Sequence, residues 1–213
     1  MSDEPIVFIV DDDADMRDSL HWLMQSNGLA VQSYQSVVEF EEAGQSGRHG
    51  CLILDVRMPG TSGLQFYERF IARGGTMPVI FITAYADVPT AVTALKSGAA
   101  DFLEKPFDRQ TLLERVQRAI LLDAKQRSER QRQSEVAGLM AQLSSREDQV
   151  LGLLMKGLPN KTIAVQLKIS ERAVEMRRAS LMKKLAVNSV PELVRLATQF
   201  EMAAVLFKTS EKD

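Results

Sequence analysis

Residues 51–60 read CLILDVRMPG. Four apolar residues in unbroken succession, closed by turn residues, suit a strand covered on both faces rather than a helix. Asp55 follows them directly, and Met58-Pro59-Gly60 then ends the pattern with turn chemistry. The stretch therefore puts a carboxylate at the C-terminal end of an inner strand. The same grammar recurs on either side. Ile6–Val10 (IVFIV) runs into Asp11-Asp12-Asp13. Val79–Thr83 (VIFIT) ends in a hydroxyl followed by Ala84, and the weaker Asp101–Glu104 leads into Lys105-Pro106. Ala30–Tyr34 is a fifth, weaker strand. Between the strands lie helical faces: Met16, Leu20, Leu23 and Met24; Leu64, Phe66, Tyr67 and Phe70; Val88, Val92 and Leu95; Leu112, Leu113, Val116 and Ile120. This alternation predicts an α/β doubly wound domain with a five-stranded parallel sheet.

In such a sheet, functional groups collect outside the C-terminal strand ends. Here those ends deliver Asp11, Asp12, Asp13, Asp55, Thr83, Ala84 and Lys105. Each has an ordinary explanation as a cap, turn or surface charge, but four strand ends in order make a pocket. Carboxylates so gathered repel one another unless a cation joins them, and oxygen donors with open positions suit Mg²⁺ or another divalent cation. Asp55 is placed to attack phosphorus and form an aspartyl-phosphate. The cation and Lys105 would offset charge on the transferred oxygens, and Thr83 would donate to one of them. Pro106 fixes the backbone beyond Lys105, a place suited to a cis bond.

The chain has 213 residues, enough for two small domains. Its charge is divided: residues 1–122 carry 10 Lys/Arg against 17 Asp/Glu, and the remainder carries 16 against 11. An acidic half followed by a basic one suggests a second domain that meets a polyanion. The single cysteine, Cys51, excludes an intramolecular disulfide and a Cys-rich zinc site. The start, MSDEP, lacks the apolar region of a signal peptide, and no apolar run approaches the roughly 18 residues of a membrane span. The expectation is a soluble, cytoplasmic protein that does not meet the membrane.

The expected domains are residues 1–122, a polar linker over 123–138, and a small all-α domain over 139–213. The linker opens with DAKQRSERQRQSE, which holds no Gly or Pro and reads as a continuation of the preceding helix, a flexible tether being the alternative. Beyond it, residues 144–147 have capping-box spacing, Ser170 is a helix N-cap, and Pro191 sits in the first turn of a last helix. Four helices with a tight turn at Lys168-Ile169 read as helix-turn-helix.

The segments VDDD, LDVRMPGTSG, FITAYAD and GAADFLEKPF resemble the receiver domain of two-component response regulators over about residues 5–122. The resemblance implies that Asp55 is the phosphorylated residue. Asp11 and Asp12 become the acidic Mg²⁺ ligands, joined by Asp55 and the backbone carbonyl of Arg57. Thr83, beside Ala84, becomes the switch hydroxyl, and Lys105 the pocket lysine. Phe102 matches the aromatic that turns inward when the threonine moves. Arg57 and Tyr85 lie near positions that tune loss of the phosphate. The face of the fourth helix, fifth strand and fifth helix is the one that dimerises in many receivers.

Residues 143–197, with KISERAVEMRRASLMKKL at their centre, resemble the LuxR-type helix-turn-helix domain, most closely the FixJ-like subgroup of NarL/FixJ regulators. The helix opened by Ser170 would lie in the major groove. Val174, Leu181 and Leu185 share its core face. Glu175, Met176 and Ala179 match base-reading positions: Glu175 can accept from a cytosine amino group, and Met176 can touch a thymine methyl. Lys161, Thr162, Arg172, Arg178, Lys183 and Lys184 are candidate phosphate contacts. Ala173, Arg177, Ser180 and Val190 depart from the residues common in the family. The implied protein is a transcription regulator. A sensor histidine kinase phosphorylates it; it then forms a homodimer on double-stranded promoter DNA, with RNA polymerase as a further contact. It is not an enzyme toward an external substrate: Arg57 stands where an aspartyl phosphatase would carry its general acid. A non-DNA binding module is the other rival, opposed by the basic recognition helix.

Overall fold

The computed structural model describes residues 4–84 and 88–210, with side chains throughout except at residues 46 and 201–210. Two compact units make up the chain, Met1–Arg127 and Ser128–Asp213.

The first unit is built on β1 (Ile6–Val10), β2 (Ala30–Tyr34), β3 (Gly50–Asp55), β4 (Val79–Thr83) and β5 (Asp101–Glu104), all parallel, in the order β2-β1-β3-β4-β5. Every residue of β1, β3 and β4 is buried, which is why their sequences are continuous apolar runs rather than alternations. Helices cover both faces. On one, α1 (Ala14–Ser26) and the start of α5 (Arg109–Met140) bury Leu20, Leu23, Met24, Leu112, Leu113 and Val116 against Val7, Ile9, Ile53 and Ile80. On the other, α2 (Val37–Glu42), α3 (Gly63–Ala72) and α4 (Val88–Lys96) pack on Phe8, Leu52, Leu54 and Phe81. There Phe40 meets Phe8 and Phe66 edge to face, at centroid distances of 5.7 and 5.9 Å.

One helix, α2, was not read from the sequence. The six-residue α2 is too short to show a helical period. Ser36, which accepts the N–H of Glu39, and the burial of Val37 and Phe40 establish it. In α4 the apolar face of Val88, Val92 and Leu95 points to solvent, and Ala94 holds the helix to the core. Glycine is required where α3 starts, because a Cβ on Gly63 would lie 2.1 Å from the Asp55 carbonyl oxygen.

Residues 123–138 all lie within α5, whose 32 residues continue past the boundary of the first unit. Asp123, the first residue of the expected polar linker, is 1% exposed. Its carboxylate accepts the N–H of Gly50 at 2.9 Å and pairs with Nδ1 of His49, while Arg127 donates to the Gly47 carbonyl at 3.1 Å.

The second unit holds α6 (Ser145–Met155), α7 (Asn160–Leu167), α8 (Glu171–Lys184) and α9 (Val190–Ser210). Val150, Leu151, Leu154, Ile163, Val174, Leu181, Leu185, Leu193 and Ala197 form its core, with Leu139 and Met140 from the end of α5 against it. Ser144 and Glu147 make both halves of a capping box. Lys168, at φ 52°, turns the chain from α7 into α8, and Ser170 caps α8 by accepting the N–H of Ala173.

Candidate functional site

Strand pairing carries the acidic groups to one edge of the sheet. Val10 lies opposite Leu54, and Asp55 opposite Ile82, so Asp11, Asp55 and Thr83 emerge side by side. All three are buried, Asp11 and Thr83 completely. One carboxylate oxygen from each of Asp11, Asp12 and Asp55 lies within 4.8 Å of the others.

Within this group the carboxylates are engaged differently. Asp11 Oδ2 accepts from Lys105 Nζ at 2.8 Å, and its Oδ1 accepts the N–H of Asp13 at 2.9 Å. Asp13 is the N-cap of α1, accepting from the N–H groups of Asp15 and Met16. Asp55 Oδ1 is buried without a hydrogen-bond partner, with Lys105 Nζ 3.7 Å away. A buried carboxylate oxygen without a hydrogen bond is costly unless a cation or an electrophile completes it. Burial pushes the Asp55 carboxyl up to about 6. Lys105 opposes that rise, Asp11 adds to it, the Arg57 backbone N–H opposes it, and Asp12 adds again. The donor set is all oxygen, with Asp11 and Asp55 buried and Asp12 exposed, which fits a hard divalent cation.

Lys105 reaches this edge because β5 pairs with β4 and the Lys105 N–H bonds the Thr83 carbonyl at 2.7 Å. The Lys105–Pro106 peptide is cis. Ala84 is exposed just beyond Thr83, and Arg57 is exposed just beyond Asp55. Phe102 is partly buried, its ring 6.4 Å from that of Phe81. Tyr85 lies outside the described residues. Arg17, which sequence reasoning passed over, donates to the Asp11 carbonyl at 2.8 Å. Its only sequence signal is a cation in an otherwise acidic first stretch of helix.

In the second unit, Glu175, Met176, Ala179, Lys183 and Arg172 are exposed along α8, and Met176 is 68% exposed although large and apolar. Lys161 is exposed on α7, with Thr162 partly so. Arg178 and Lys184 are committed inside the domain. Arg178 donates to Asn160 Oδ1 at 2.6 Å. Lys184 donates to the Gln142 carbonyl at 3.1 Å and to Glu147 Oε2 at 2.8 Å. Ser180 Oγ donates to Glu147 Oε1 at 2.6 Å. Glu147, read from sequence only as a capping residue, is thus the buried hub joining the start of α6 to α8.

Comparison with known proteins agrees with both halves. Residues 7–117 match the response regulator receiver domain, and residues 141–197 match the bacterial regulatory proteins of the luxR family. The chain is 48% identical over 191 residues to the transcriptional regulatory protein FixJ of Azorhizobium caulinodans, covering 90% of each. It is 40% identical over 188 residues to the transcriptional regulatory protein TdiR of Thauera aromatica, covering 88% of this chain and 83% of that one. Among solved structures, the response regulator StyR superposes with a TM-score of 0.85 at 41% identity, covering 92% of this chain and 99% of StyR. Among the described residues, no helix is long and apolar enough to cross a membrane. The chain belongs to the FixJ/NarL family of two-component response regulators, transcription factors activated by phosphorylation, with a receiver domain followed by a LuxR-type helix-turn-helix domain.

Proposed function

We propose that Asp55 accepts the phosphoryl group from a sensor histidine kinase and that the phosphorylated protein dimerises on promoter DNA. The observation that carries this reading is the buried Oδ1 of Asp55, which makes no hydrogen bond and lies beside Asp11 and Asp12 and 3.7 Å from Lys105. In the transfer, that oxygen forms a bond to phosphorus while the P–N bond to the kinase histidine breaks. The imidazole leaves and takes up a proton. Asp55 must be ionised to attack, and the Lys105 ammonium favours that form.

Asp11, Asp12, Asp55 and the Arg57 carbonyl would hold Mg²⁺, which supplies positive charge beside the transferred oxygens. Lys105 then moves its contact from carboxylate toward phosphoryl oxygen. Thr83, at the base of the loop that begins with Ala84, turns its hydroxyl to the new charge. Phe102, already against Phe81, fills the space released. The two packings pre-exist, and the phosphate changes their populations. The partner surface is α4, whose exposed Val88, Val92 and Leu95 form an apolar face suited to a second copy.

The functional divisions are the receiver over 1–122, the linker over 123–138 and the DNA-binding domain over 139–213. Glu175, Met176 and Ala179 read base edges. Lys161, Thr162, Arg172 and Lys183 contact phosphates from exposed or partly exposed positions. Arg178 and Lys184 do so only by sharing protons with, or leaving, Asn160 and Glu147.

The test is to measure mass and DNA affinity with and without a small phosphoryl donor plus Mg²⁺, in wild type and Asp55→Asn. Acid-labile phosphate, dimerisation and tighter DNA binding should appear in treated wild type alone. Labelling retained in Asp55→Asn would move the acceptor elsewhere. Labelling of wild type without a change in DNA occupancy would separate the receiver from DNA output.

A further inference from the structure

The loop between β1 and α1 presents three consecutive carboxylates, and each is fixed differently. Asp11 is held through its side chain by Lys105 and by the N–H of Asp13. Asp13 is held by capping α1. Asp12 is exposed, and among the described residues its carboxylate makes no hydrogen bond. Its position is therefore set by its backbone.

That backbone is gripped from α1. Arg17 stands one turn into the helix, its own N–H bonded to the Asp13 carbonyl at 2.9 Å. Side chains of a helix lean toward its N-terminus, so the guanidinium runs back to the loop. Nη1 of Arg17 donates to the Asp11 carbonyl at 2.8 Å and stands 3.5 Å from the Asp12 carbonyl. A cation in the first turns of a helix is opposed by the helix dipole, by about 0.3–1 kcal/mol. Asp15 and Asp18 neighbour it in sequence but at offsets that do not share its helix face, and its side-chain hydrogen bonds go to the two loop carbonyls. The placement is thus not an ordinary surface ion pair. A single guanidinium nitrogen thus reaches two successive carbonyls, the contact to Asp11 being the shorter.

We propose that Arg17 is the positioning residue of the cation site: it clamps the Asp11 and Asp12 carbonyls and so keeps the Asp12 carboxylate within the acidic cluster. The proposal rests on the reading of that cluster as the Mg²⁺ and phosphoryl site. Arg17 touches neither the cation nor the phosphoryl group. Groups that orient metal ligands typically contribute 10–100-fold in metal affinity.

The experiment is calorimetric titration of the full chain with Mg²⁺, in wild type, Arg17→Ala, Arg17→Lys, Asp12→Ala and Asp55→Asn. Labelling by a small phosphoryl donor is followed in parallel across Mg²⁺ concentrations. Arg17→Ala should weaken Mg²⁺ binding by about tenfold, with Arg17→Lys between it and wild type. The labelling rate of Arg17→Ala should return to the wild-type maximum at saturating Mg²⁺. A general structural role would lower that maximum at every Mg²⁺ concentration, and such a result overturns the proposal. So does wild-type Mg²⁺ affinity in Arg17→Ala. If Asp12→Ala and Asp55→Asn also bind Mg²⁺ like wild type, the reading of the pocket fails, and the role of Arg17 falls with it.

Discussion

Lys183 and Lys184 are chain neighbours with different work. Lys183 is exposed at the end of α8, whereas Lys184 is bonded to Glu147 and to the Gln142 carbonyl. Lys183→Ala should weaken binding to all DNA sequences alike, lower the salt slope by about one, and leave the melting temperature unchanged. Lys184→Ala should destabilise the DNA-binding domain by about 1 kcal/mol, the usual value for a charged hydrogen bond discounted for partial exposure to solvent. Thermal melting and salt-dependent titration of both variants separate the two roles. Glu147 gives a pH signature. The Lys184 ammonium, then the hydroxyls of Ser180 and Ser144, hold its carboxyl well below the ordinary 4.5. Its folded-state value is depressed, so its stabilisation is present above pH 4.5 and is lost as pH falls below it. Melting of this domain followed from pH 6 downward should show that loss, and Glu147→Gln should melt lower at pH 6 and flatten the dependence.

Among the elements, α5 runs from the receiver unit into the second unit, through the stretch expected from sequence to be a linker. Its apolar stripe was visible in sequence through Leu112, Leu113 and Val116, and its continuation through the absence of Gly and Pro. The burial of Asp123 was not visible, because the carboxylate is satisfied by His49 and Gly50, which are distant in sequence and brought close by β3. Removing one partner leaves buried donors unpaired, at about 1–3 kcal/mol. Asp123→Ala should therefore lower the stability of the receiver by about that amount, while Asp12 and Asp55, at the opposite ends of their strands, still bind Mg²⁺. Denaturant unfolding with a Mg²⁺ titration checks both halves of the statement. Unchanged stability would mean that the clasp contributes nothing net. For α4 the sequence pattern gave the helix and its bounds but not what covers its apolar face. Helical periodicity reports that an apolar face exists, not whether this chain or another copy covers it.

Across the molecule, the receiver and the DNA-binding domain have separate hydrophobic cores. Calorimetry should show two transitions. Mg²⁺ with a phosphoryl donor should raise the receiver's, and cognate DNA the other, because a ligand stabilises the unit that binds it. A single transition moved equally by both ligands would contradict separate cooperative units.

The order of strands and helices, the pocket at their C-terminal ends and the helix-turn-helix pattern follow from local chemistry. Buried parallel strands must be continuous apolar runs, caps and turns need particular side chains, and connectivity then brings Asp11, Asp55, Thr83 and Lys105 to one edge. The partners of Arg17, Asp123 and Glu147 do not follow in this way. Each is a polar group whose hydrogen bonds are completed by residues of another turn or element. Nothing in the local pattern distinguishes such a residue from a solvated one. Packing decides that, by removing water from one side of the group and supplying a donor or acceptor in its place.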